Sequence, residues 1–169
     1  ENVYVIETEV GNIKFKVYPK KAPISVANFL RYVELADFDS SNFHRVVRMD
    51  NQPKDSIRIE VIQGTFTASG NSFGPIPHET TNKIGLLHKD GTVSMARREP
   101  GSASTHFFIC INDQPELDYG GKRNPDGQGF AAFGQVIEGM EVIRNIQDGE
   151  TEHQALKRKV KIIKIRREK

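Results

Sequence analysis

Of 169 residues only one is a cysteine. A lone thiol excludes an internal disulfide framework, and Cys110 sits in the apolar run "FFICI", the setting of a buried structural thiol rather than a reactive one. No apolar stretch approaches the roughly 20 residues that span a bilayer, and no basic segment followed by an apolar run opens the chain, so the sequence predicts a soluble protein without membrane insertion. Charge of either sign is also nearly absent as a net quantity. Against 22 Asp and Glu stand 24 Lys and Arg, a balance of +2, too little to recruit nucleic acid or an acidic membrane by field alone. Repeats, low-complexity tracts and Ser/Gly linkers are missing as well, which predicts one domain over residues 1–169. The chain begins with Glu1 rather than methionine, and the reading is an amino terminus trimmed by processing or by design.

Metal and nucleophile patterns are missing too. The five histidines, His44, His78, His88, His106 and His153, show neither the i, i+4 spacing nor the paired Cys/His spacing of a metal site. There is no Gly-rich phosphate loop and no G-x-S-x-G elbow. The serines of "EPGSAST" near His106 are better read as loop formers than as nucleophiles. "NPDGQG" (Asn124 to Gly129) lacks the acidic residue that ends a calcium loop and reads as a turn. Neither a metal nor a cofactor is predicted.

What the chain does contain is alternation. "VYVIETEVGNIKFKVYP" reads as a hairpin turning at Gly11-Asn12. In "APISVANFLRYVELADF" the period changes, with Val26, Phe29, Leu30 and Val33 at i, i+3, i+4, i+7 behind Pro23 and Ser25, which predicts a helix. "NFHRVV" and "IRIEVIQG" return to period two, "TVSMAR", "THFFICI" and "FAAFGQVI" come next, and "GMEVIRNIQDG" places Met140, Ile143 and Ile146 on one face of a second helix. Residues 65–91 are dense in turn formers and read as a surface wrap forming a functional rim. The basic tail from Lys157 to Lys169 alternates cations with Val160, Ile162, Ile163 and Ile165, the pattern of a terminal strand with one solvated face rather than a nucleic-acid patch. Seven or eight strands with two helices predict a mainly β protein, a barrel or a sandwich with helical covers, with closure favoured because it hides strand edges.

Strand parity singles out a few polar residues. Arg45 shares a side with Phe43 and Val47, Gln63 with Val61, and His106 with Phe108. Three strands then each present one polar and one apolar group, the make-up of an apolar pocket with fixed donors. The same alternation also describes ordinary solvated faces, and pattern alone does not choose.

Taken in order, "FHRVV", "VIQG", "GTVSMAR", "HFFICI", "LD" and "FAAFGQVIEGMEVI" resemble the cyclophilins along nearly the whole chain. The resemblance implies a closed eight-stranded antiparallel barrel capped by two helices, and peptidyl-prolyl cis-trans isomerase activity on proline-containing peptides or unfolded segments, assisting protein folding. It puts the family's catalytic arginine at Arg45, its glutamine at Gln63 and its pocket aromatic at Phe108. Val61 takes the pocket methionine position, Ala96 that of the backbone-binding alanine and Leu117 that of the pocket leucine. Departures fall at Glu60, where the family has an aromatic that lines the pocket, and at His106 for a glutamine, Arg97 for an asparagine and Phe130 for a histidine. Glu116 stands at the tryptophan associated with cyclosporin, so weak cyclosporin binding is expected. With Glu60 turned away, Ile59 or Ile57 would supply the missing wall. The alternative is a cyclophilin-like module that binds Pro segments with little turnover. The expected state is a monomer, and the expected setting a bacterial cytoplasm or cell envelope.

Overall fold

In the computed structural model, which describes residues 2–169, the first hairpin pairs β1 (Val3–Thr8) with β2 (Gly11–Val17). Glu1, on which the reading of a trimmed terminus rests, lies outside the described residues. The turn is Glu9-Val10, two residues earlier than the glycine suggested. Thr8 fixes it, its hydroxyl donating to Gly11 O at 2.6 Å and accepting the Val10 N–H at 3.1 Å. Gly11 instead opens the returning strand at φ +134°, and a Cβ there would lie 2.8 Å from Val142.

Helix α1 (Pro23–Leu35) comes next, with proline in its first turn. Its free N–H groups are satisfied from far away in the sequence. The Glu79 carboxylate accepts from Ile24 N (3.1 Å), Ser25 N (2.8 Å) and Ser25 Oγ (2.7 Å), which sets a negative charge at the positive end of the helix. The buried stripe is Ser25, Val26, Asn28, Phe29 and Tyr32, while Leu30, expected inside, is 36% exposed. Tyr32 takes the inward position because its hydroxyl accepts the Phe73 N–H (3.1 Å) and Asn28 donates to Ser104 O (2.9 Å), so neither polar tip is left unpaired.

The remaining strands are β3 (Asn42–Val47), β4 (Val61–Thr65), β5 (Thr92–Met95), β6 (His106–Cys110), β7 (Ala131–Glu138), the two-residue β8 (Thr151–Glu152) and β9 (Ala155–Arg167). All pairings are antiparallel in the order β1-β2-β7-β5-β6-β4-β3-β9, and β9 pairs back onto β1. This closes an eight-stranded barrel, with β8 as a short hairpin arm on β9. Closure depends on the basic tail. At 13 residues β9 spans from β3 (Phe43 opposite Val160) to β1 (Tyr4 opposite Arg167), burying Leu156, Ile162 and Ile165 and exposing Lys157, Lys159 and Lys161.

Helix α3 (Met140–Gln147) covers the core with Ile143 and Ile146. A third helix, α2 (Thr81–Ile84), lies in the segment read as a surface wrap and ends at Gly85 in the left-handed conformation. One turn is too short for periodicity to reveal. No helix among the described residues is long and apolar enough to cross a membrane.

Apolar side chains form two groups. The larger fills the barrel around Phe15, Phe29, Phe43, Phe66, Phe107 and Phe133. The smaller, on the opposite sheet face, joins Val47, Ile59, Val61, Phe108, Cys110 and Leu117, with Ala96 and Phe130 against it. Cys110 is fully buried and burial raises its thiol pKa, which keeps it protonated and inert.

Inside the barrel Phe43 lies across Gly64, where a Cβ would sit 2.8 Å from the ring and 3.0 Å from Asn42 O. Phe43 is fully buried and held edge-on by Phe107, so it cannot retreat. Gly64→Ala is expected to cost about 1–3 kcal/mol and to lower the thermal midpoint by about 3–10 °C, measurable by calorimetry.

Candidate functional site

The second apolar group is the floor of an open groove of about 600 Å³. Register builds it. Arg45 pairs with Gln63, Gln63 with Phe108 and Phe108 with Ser94, so one row crosses β3, β4, β6 and β5. Alternation alone would put Phe43 in this row too, two residues before Arg45. Instead an irregularity falls between Phe43 and Arg45 in both ladders of β3, so that His44 is an extra residue against β4. A bulge of this kind reverses the facing of the residues beyond it. Phe43 therefore enters the barrel core while Arg45 and Val47 turn onto the groove side.

Arg45 is held by two neutral oxygens. Its Nη1 donates to Gln63 Oε1 at 2.8 Å, and its Nε and Nη2 to Gln154 Oε1 at 3.1 and 2.6 Å. No carboxylate lies within ion-pair distance of it among the described residues. Burial lowers its pKa, Arg123 lowers it further and Asp55 partly offsets both. An arginine remains charged under such shifts. Gln154 was not foreseen. It lies in the two-residue turn between β8 and β9, 109 positions from Arg45, where no periodicity marks a residue as functional.

Beside Arg45 the groove is apolar, lined by Ile59, Val61, Phe108, Leu117 and Phe130. Phe130 meets the Phe108 ring edge-on at 5.2 Å and 85°. Behind Phe108 the His88 imidazole stacks at 5.8 Å and 13°. His88 is pinned at both nitrogens, Nδ1 at 2.8 Å from Asp118 Oδ1 and Nε2 at 2.8 Å from Ser94 Oγ. Facing a carboxylate, Nδ1 carries the proton, and Nε2 accepts from the serine hydroxyl. The trio has the connectivity of a hydrolase triad, but His88 is 1% and Ser94 0% exposed. It therefore supports Phe108 and meets no substrate.

Glu60 is a correction. It does not line the groove: its carboxylate accepts from Asn112 Nδ2 (3.1 Å) and Gln147 Nε2 (3.0 Å). The cause is local. Gln52, 1% exposed, bonds both the N–H (3.1 Å) and the carbonyl (2.7 Å) of Ile59, which takes the Ile59 backbone out of the ladder, while the Glu60 carbonyl still accepts the Ile111 N–H (3.0 Å) and β4 begins at Val61. Ile59 shares the Val61 side and takes the wall position.

Arg97 lines the groove, but its guanidinium is turned into the loop. It makes two 3.0 Å bonds to Asp126 and bonds to Gly129 O at 2.9 and 2.6 Å, while lying 5.0 Å over the Phe130 ring. The hydrogen bond from Arg97 is the main reason the Asp126 pKa is lowered. The segment read as a turn is thus clamped so that it presents Phe130. Ala96 and His106 lie on the same rim, the Ala96 N–H donating to His106 O at 3.1 Å. Among the described residues no three metal-ligating side chains come together.

The geometry defines a closed barrel carrying, on its outer face, an apolar cup beside an unneutralised guanidinium. Residues 3–167 match the family model described as cyclophilin type peptidyl-prolyl cis-trans isomerase/CLD, and the chain belongs to that family. Peptidyl-prolyl cis-trans isomerase A of Dickeya dadantii is 35% identical over 153 residues, 88% of this chain and 73% of that protein. A cyclophilin type peptidyl-prolyl cis-trans isomerase of Cryptosporidium parvum superposes with TM-score 0.76 at 20% identity, over 99% of this chain and 98% of that one. A second structure of it, in the presence of the dipeptide Ala-Pro, gives 0.74 at 21% identity over 99% of each.

Behind the rim residue His106, His44 meets its ring edge to face at 5.3 Å. Burial, then His106 and Lys159, lowers the His44 pKa to about 4, and burial and Arg98 lower that of His106. Between the ordinary histidine value of 6.5 and about 4 the unfolded chain binds more protons than the folded one, so the stability from a neutral His44 is present above 6.5 and is lost as pH falls. The expected loss is about 1–2 kcal/mol, below the full linkage value because the ring is only half buried. Thermal midpoints at pH 7.5 and 4.5 should fall less in His44→Gln than in wild type, and equal falls would refute this role for His44.

Proposed function

We propose that the groove binds X–Pro segments, with the proline ring in the cup of Ile59, Val61, Phe108, Leu117 and Phe130, and that Arg45 lowers the barrier to rotation. The X–Pro amide resists twisting because the nitrogen lone pair is delocalised, at about 18–20 kcal/mol. As the bond twists, the lone pair localises on the prolyl nitrogen and becomes an acceptor. A guanidinium directed there stabilises the twisted form over either planar one, so differential binding suffices without a nucleophile.

Gln63 holds the guanidinium in register. Ala96, its N–H already committed, offers its carbonyl to the substrate backbone, and Arg97 its main chain. His106, neutral at pH 7 because its pKa is lowered, borders the chain without adding charge. The observation that carries this reading is the Arg45 guanidinium, bonded only to neutral glutamine oxygens and placed beside an apolar cup. The Ala-Pro dipeptide present with the Cryptosporidium relative supports proline-containing peptides as substrate. The protein acts as a monomer, since closure of the barrel consumes its strand edges, and in a bacterial cytoplasm or cell envelope, where unfolded segments expose prolines.

Exchange of a short Ala-Pro-Phe-type peptide, followed by NMR, is expected to be accelerated by wild type and reduced about 100-fold in kcat/KM by Arg45→Ala. Wild-type exchange at the uncatalysed rate would overturn the activity, and full activity in the variant would overturn the role of Arg45. Cyclosporin is expected to inhibit only weakly. Glu116, at the family's tryptophan position, accepts the Lys122 N–H at 3.0 Å and offers no ring to the drug, so tight inhibition would contradict that placement.

A further inference from the structure

A second guanidinium borders the same groove. Arg123, from the loop between Leu117 and Phe130, lines it together with Arg45 and Arg98. All the hydrogen bonds of its side chain leave from one nitrogen: Nη1 donates to Ile57 O at 2.7 Å and to Gln52 Oε1 at 2.8 Å. Nε and Nη2 have no hydrogen-bond partner among the described residues. The nearest acid, Asp55, stands 3.6 Å from Nη1 with a half-exposed side chain, a loose and solvent-screened pair. By contrast, Arg97 is neutralised by two bonds to Asp126.

The lining therefore carries three cations, Arg45, Arg98 and Arg123, not tied to a carboxylate by a hydrogen bond, against one acid, Glu99. Next to Arg123, the buried side-chain nitrogen of Asn124 also lacks a partner among the described residues. Arg45 and Arg123 line the same groove, and after burial the Arg123 charge is the next cause lowering the Arg45 pKa. A guanidinium with two free nitrogens is suited to a carboxylate, which it takes in paired hydrogen bonds.

We propose that Arg123 is a specificity-determining residue that selects X–Pro segments carrying a carboxylate, an acidic side chain or a chain terminus, within two residues of the proline. The inference rests on the groove being the X–Pro site. Its position explains how the selection works without disturbing the chemistry. Arg123 is fixed through Nη1 to the loop that carries Ile59, so the cation and the cup wall are set by one contact. A carboxylate flanking the bound proline relieves the repulsion between Arg123 and Arg45, while a lysine there adds a fourth cation.

The test uses the full chain and capped Ala-Pro-Ala peptides bearing Asp, Ala or Lys on either side of the proline, with dissociation constants from NMR shift titration and exchange rates from the same samples. Wild type is expected to bind the Asp peptides about tenfold more tightly than the Lys peptides at low salt, with the ratio shrinking toward one in about 0.5 M salt. Arg123→Gln should abolish the ratio and Arg123→Lys should keep part of it. Asp55→Asn, which removes only the competing carboxylate, should enlarge it, and this decides the matter if Arg123→Gln does not fold. Equal affinity for Asp and Lys peptides, or a ratio unchanged in Arg123→Gln and Asp55→Asn, overturns the proposal. If these arise while the Ala peptide is still turned over, isomerase activity stands and only the selection fails. A preserved Asp preference without catalysed exchange of any peptide overturns the activity and leaves the selection standing.

Discussion

The Arg45 guanidinium, suspended between the oxygens of Gln63 and Gln154, is the constraint around which the structure is arranged. A buried cation paired with a carboxylate would have most of its field spent within the pair. Glutamine oxygens satisfy its donors and fix its direction, but they leave the charge uncompensated. Such an arrangement is costly, and burial does lower the Arg45 pKa. The cost is tolerated because three elements, β3, β4 and the β8–β9 turn, hold the side chain from different directions.

Each of these elements is positioned for a separate reason. The bulge after Phe43 puts aromatic ring and cation on opposite sides of the sheet, so one strand supplies both the barrel core and the groove. Gly64 gives the inward ring its space. Below the cup, Asp118, His88 and Ser94 stack a fixed imidazole against Phe108. Along the rim, Gln52 and Arg123 tie the segment carrying Ile59 to the loop that precedes Phe130. The groove is thus rigid because its walls are hydrogen-bonded to one another, and the barrel alone would not hold them.

Much of this was legible from the chain. Alternation located the strands, the long basic tail read correctly as a closing strand, and parity placed Gln63 with Val61 and Phe108 with His106. Parity failed at Phe43, because an inserted residue shifts the phase while leaving no mark in composition. It failed in α1, where Tyr32 displaces Leu30 inward once its hydroxyl has a partner. The resemblance puts Glu60 at a pocket wall, whereas its carboxylate is held by Asn112 and Gln147 and Gln52 bonds the Ile59 backbone beside it. Gln154, Glu79 and Arg123 could not be read at all, since each acts across more than 50 residues of chain, and long-range polar contacts carry no periodicity.

The central claim is that Arg45 works because its partners are neutral. Gln154→Glu tests it most directly, since the new side chain keeps the size and both accepting contacts while adding the charge that the native site avoids. The Gln154 Nε2 donor to Asn51 O at 3.3 Å is lost, so a slightly lowered thermal midpoint is expected with the fold retained, and catalysed Ala-Pro exchange lowered at least about tenfold, as the carboxylate draws the guanidinium's field to itself. Exchange at the wild-type rate in this variant would contradict the claim.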